Sequence, residues 1–122
     1  MTLGKEIGDF SFKMTSVGYP GDDPAAQINC DGTATNYGTV LGTLTLRGEP
    51  GAKGGPASWR GDGFLDDGEM VHAVGQGSWE EIGHHKWRTR MVISVSDGQT
   101  FASDGQLDLA SRSYSGKNLE WT

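Results

Sequence analysis

The chain has one cysteine, Cys30. No intrachain disulfide can form, so a core must be held by packing alone, and thiol content gives no sign of secretion. Long apolar runs are also missing. No stretch is long enough to span a bilayer, and the opening residues MTLGKEIGDF lack the apolar centre of a signal peptide. A soluble, cytoplasmic protein is the expectation. Basic residues are in deficit, with 10 Lys and Arg against 16 Asp and Glu and a formal net charge of −6. That balance argues against nucleic acid as a partner, because phosphate binding needs clustered Lys and Arg. It argues equally against an anionic membrane surface.

Helical periodicity is scarce too. Pro24–Gln27 is the only helical candidate, and it amounts to about one turn. The three histidines, His72, His84 and His85, match no zinc spacing, and adjacent His84 and His85 would point to opposite faces of a strand. Gly51-Ala-Lys-Gly-Gly lacks the spacing of a phosphate loop. Neither a metal nor a cofactor is expected.

Glycine is what the chain has in abundance, at 20 of 122 residues. Glycine and turn chemistry between short apolar runs mark an all-β protein with tight connections. Four Trp and four Phe supply apolar area for a core, which argues against disorder. After a frayed lead-in over residues 1–8, Phe10, Phe12 and Met14 alternate with polar residues, as a half-buried strand does. Gly18–Pro24 is a loop. Ile28, Cys30, Gly32 and Ala34 alternate in a second strand, and Val40, Gly42, Leu44 and Leu46 in a third, across a turn at Asn36-Tyr37-Gly38. Gly48–Pro56 is a second long loop. Four strands follow between Trp59 and Leu109, and a last one covers roughly 113–121. The expectation is one domain, 1–122, folded as an antiparallel up-and-down β-barrel of about eight strands, which leaves no sheet edge exposed.

Asp66-Asp67-Gly68 and Ser96-Asp97-Gly98 suit three-residue hairpin loops with glycine in the left-handed position. That choice sets Phe101 opposite Ile93, Ser103 opposite Met91 and Leu107 opposite Trp87 on one face. On the other it sets Arg90 opposite Asp104 and Lys86 opposite Asp108. The turn at Glu81–His85 is expected to pair Trp79 with Trp87 and Glu80 with Lys86. The inward face then carries Trp59, Trp79, Trp87, Met91, Phe101 and Leu107, with Gly61, Gly63, Gly75, Gly77 and Gly105 among them. Two readings of those glycines stay open. They permit tight coiling with tryptophan filling the space above them, or they leave room for a ligand. Alternating connections gather the long loops at one rim, where barrels keep their binding mouths. Trp59, Trp79 and Trp87 are expected at that rim, with Tyr19 on a loop that could close over it.

The expected function is binding of a hydrophobic or aromatic small molecule in a Trp-lined cavity. Its contacts would be Trp59, Trp79, Trp87, Met91, Phe101, Leu107 and Tyr19. A cofactor-independent cyclase, isomerase or lyase in the same cavity is the alternative, with His85 and Glu81 as the groups that move a proton. A structural or assembly subunit is the third, prompted by an outward apolar row in which Phe64 faces Met70, and Val74 faces Val92 and then Ala102. That row is the expected homo-oligomer contact. Asp62 and His72 are expected as cross-strand neighbours on the outside, as a surface ion pair.

The run of eight strands resembles the small barrels of the calycin and allene oxide cyclase-like type. So do Tyr37-Gly-Thr-Val-Leu-Gly-Thr-Leu-Thr-Leu46 and Asp67-Gly-Glu-Met-Val-His-Ala-Val-Gly75. Gly77-Ser-Trp79 departs from the lipocalin pattern, which places G-x-W near the first strand. The resemblance implies a barrel that binds apolar molecules or shapes them for cyclisation or isomerisation. It carries over no catalytic residue.

Overall fold

The computed structural model describes residues 3–121 as eight strands. They are β1 (Leu3–Gly18), β2 (Ala25–Ala34), β3 (Gly38–Arg47), β4 (Gly54–Phe64), β5 (Met70–Gly83), β6 (Lys86–Val95), β7 (Thr100–Asp108) and β8 (Ser113–Trp121). Each pairs antiparallel with the next, and β8 pairs with β1, so the sheet closes into an up-and-down barrel. Among the described residues there is no helix, hence none long and apolar enough to cross a membrane. The turn of helix expected at Pro24–Gln27 is instead the start of β2, where Ala25 and Gln27 pair with Arg47 and Thr45. The expected lead-in over residues 1–8 is likewise part of β1 from Leu3 onward, its first two residues lying outside the described ones. Leu3, Glu6 and Gly8 pair with β8, beyond the point where β2 ends, so one long strand overhangs its neighbour.

Local turn chemistry fixes the register. Leu65 N–H donates to the Glu69 carbonyl and Val95 N–H to the Gln99 carbonyl, each at 2.9 Å, closing two alike three-residue loops. Asp67 Oδ1 accepts from Glu69 N–H at 2.9 Å, and Asp97 Oδ1 from Gln99 N–H at 3.0 Å. Gly68 and Gly98 take φ of 91° and 97°, a region side chains disfavour. The β6–β7 pairs follow as the turn dictates, including Ile93 with Phe101, Met91 with Ser103 and Trp87 with Leu107.

The β5–β6 turn differs from expectation. Its loop is His84-His85, with His85 at φ 58° and a bulge between Glu81 and Gly83. Trp79 therefore pairs with Thr89, Glu80 with Arg88, and Glu81 with Trp87. The slip is two residues, so every side chain keeps its face while its neighbour changes. The outer apolar row changes with it. Phe64 still faces Met70 and Val92 faces Ala102, but Val74 lies opposite Ser94 and Gln76 opposite Val92. The outer charges pair diagonally, Arg88 with Asp104 at 2.6 Å and Arg90 with Glu80 at 2.8 Å, although Arg90 and Asp104 are directly opposite in the ladder.

Inside, Phe10, Phe12, Ile28, Leu44, Trp59, Met91, Ile93, Phe101, Leu107 and Tyr114 belong to one buried cluster. The glycines make room for its rings. A Cβ on Gly42 would lie 2.3 Å from the Trp59 ring, and one on Gly105 2.7 Å from Tyr114 and 2.9 Å from Phe10. At mid-barrel, glycine makes room for large aromatics.

Candidate functional site at the barrel mouth

Alternation along the strands divides the interior into two spaces. Leu44 and Thr89 are 0% exposed and Tyr114 1%. The Tyr114 hydroxyl and the Thr89 hydroxyl share a hydrogen bond of 2.6 Å, so these groups form a sealed, satisfied floor. Leu44 pairs with Ile28 on one side and Trp59 on the other, and Tyr114 with Leu107 and Phe12. Ile28 and Leu107 face the long-loop end, while Trp59 and Phe12 face the tight-turn end.

At the long-loop end the floor carries a recess of about 590 Å³. Met14, Val17, Ala25, Ile28, Leu46, Trp79, Trp87, Leu107 and Leu109 line it, with Tyr19, Pro24 and Pro50 from the loops. Trp79 is held in place, because its indole N–H donates to the Arg47 carbonyl at 2.8 Å. A Cβ on Gly55 would stand 2.3 Å from that carbonyl, so glycine is what lets β4 close against the indole. Trp87 is only half-buried. Tyr19 is 76% exposed and follows β1 on the loop that reaches Asp23, whose carboxylate meets Arg47 at 3.5 Å. Asp23 is the one carboxylate on the lining among the described residues.

Of the residues singled out as ligand contacts, Trp79, Trp87, Leu107 and Tyr19 come together here. Trp59 and Met91 lie beneath the floor, around a smaller hollow at the tight-turn end. The Trp59 ring stacks on Phe12 with centroids 5.4 Å apart and 8° between planes, so it is not at the rim. Phe101 is in the core against Tyr37, at 6.0 Å. His85 and Glu81 are both exposed beside the mouth and neither lines the recess. His85 occupies the turn, and Glu81 meets Lys53 Nζ at 3.0 Å. The contributions of Met14, Ile28 and Leu46 come from strands one to three. Their inward alternation was the available signal, but which strands meet across the closed barrel is not a local property.

Elsewhere, Asp62 Oδ1 and His72 Nδ1 lie 2.7 Å apart on the outer surface, both half-exposed. Cys30 is buried, and desolvation raises its thiol to about 12, which leaves it without thiolate character at neutral pH. Among the described residues, no group of three or more His, Cys, Asp or Glu is placed to hold a metal ion.

No family model matches the chain, and neither the curated proteins nor the solved structures include a significant match to it.

Proposed function

We propose that the protein binds a hydrophobic or aromatic small molecule in the recess at the barrel mouth. The observation that carries this reading is the recess itself, an apolar space of about 590 Å³ walled by Trp79, Trp87, Leu107 and Leu109. Its size falls within the range of roughly 300–1,000 Å³ that small-molecule sites occupy. The sealed floor gives a ligand a fixed depth, and Tyr19 stands where it can fold over an occupant.

A cyclase, isomerase or lyase in the same recess is the second reading, and Asp23 on the lining is the observation in its favour. His85 and Glu81 would have to reach in from outside it. Titration with the neutral fluorophore N-phenylnaphthylamine tests binding. Saturable enhancement, competed away by terpenoid or polycyclic aromatic compounds, is the expected result, and no enhancement up to the solubility limit would sink the proposal. Recovery of the competing compound unchanged supports a carrier; conversion that disappears in Asp23→Asn supports the enzyme. We further propose self-association through the outer face bearing Phe64, Met70, Val74 and Val92.

A further inference from the structure

The hollow beneath the floor lies apart from the mouth and has a chemistry of its own. It measures about 70 Å³. Its wall is aromatic and aliphatic except for two buried polar side chains, Ser103 of β7 and Asn118 of β8, each 6% exposed. The two are cross-strand partners, so their side chains project together from the same face. Among the described residues, neither side chain makes a hydrogen bond. Both side chains line the hollow, and among the described residues no fully buried side-chain N or O atom is left without a partner, so any free hydrogen-bonding capacity of the pair belongs to atoms that still meet open space.

An amide facing an otherwise apolar hollow keeps hydrogen-bonding capacity for an occupant, and an occupant that leaves it unmet would forgo about 1–3 kcal/mol. Size limits that occupant. The hollow equals roughly two water volumes and about half of a cavity that admits benzene. Charge limits it further, because among the described residues no ionisable acid or base other than the tyrosines lines the wall. Tyr37 lines the hollow from the tight-turn end. It stands on the β2–β3 turn, and its hydroxyl donates to Gln99 Oε1 at 2.7 Å, on the strand side of the β6–β7 turn. One hydrogen bond and a stack on Phe101 hold this half-buried ring on the wall of the hollow.

We propose that this hollow is a second binding site, for a compact neutral molecule with one hydroxyl, carbonyl or amide group on a short apolar body. Asn118 and Ser103 hold the polar group, and Tyr37 forms part of the wall. The probe is 2-propanol, titrated into isotopically labelled protein and followed by NMR, with xenon as an apolar comparison. The expected result is saturable shifts at the Asn118 side-chain amide and the Tyr37 backbone amide. Affinity for 2-propanol should fall about tenfold in Asn118→Leu, as loss of a buried hydrogen bond implies, while xenon still binds. Should that variant not fold, Ser103→Ala replaces it, with a loss of several-fold expected. Non-saturable shifts, shifts confined to Trp79 and Trp87, or unchanged affinity in the folded variant would each overturn the proposal.

Discussion

Single residues set the interior's shape, and glycine does so most directly. Gly42 lies under the Trp59 indole, and a methyl there would be 2.3 Å from the ring. Gly42→Ala should lose about 1–3 kcal/mol of stability by overpacking, read by urea denaturation. A loss below a few tenths would mean the ring moves freely. Tyr114→Phe removes the partner of a fully buried Thr89 hydroxyl, and should lower stability by about 1–2 kcal/mol. Cys30 offers a pH test. Its folded thiol is raised to about 12, above its ordinary value of 9.0, so between those values the unfolded chain gives up a proton that the folded chain keeps. Stability must therefore fall as pH rises above about 9, and Cys30→Ala should make that limb shallower, the remainder coming from Tyr114 and Tyr37, whose hydroxyls burial also raises. Residue-scale alternation was readable beforehand, since Trp59, Met91 and Phe101 do face inward. The direction in which a ring lies along the barrel axis was not, because it depends on side-chain torsion and on which glycines meet it from neighbouring strands.

Elements are governed by their turns. Asp67-Gly68 and Asp97-Gly98 build the same loop twice, with the carboxylate accepting from the N–H two residues on. Gly68→Ala and Gly98→Ala should each lose about 1–2 kcal/mol, in equal measure, because both force a side chain into the left-handed region without a new clash. Unequal losses would show that the two turns differ in what surrounds them. These hairpins were readable because aspartate and glycine at fixed offsets state their own geometry. The β5–β6 hairpin was not, since Glu81–His85 contains several residues that fit more than one loop length. Its bulge moved Trp79 from Trp87 to Thr89, and only cross-strand context selects that answer.

At the scale of the molecule, closure of β8 on β1 brings Met14, Ile28 and Leu107 to one mouth although they lie far apart in the chain. Eight alternating strands predicted the barrel and the end that would hold long loops. They did not reveal the floor of Leu44, Thr89 and Tyr114, which separates Trp79 and Trp87 from Trp59. The outer face makes its own prediction. Light scattering at high concentration should find more than one copy per particle, and Phe64→Lys with Met70→Lys should return a monomer; a monomer before mutation removes that proposal. The mouth is tested most directly by fluorine NMR of protein labelled with fluorotryptophan, whose four tryptophans report separately. On adding N-phenylnaphthylamine, the resonances of Trp79 and Trp87 should shift together and saturate while Trp59, beneath the floor, stays in place. Shifts at Trp59 with none at Trp79 and Trp87 would contradict the account.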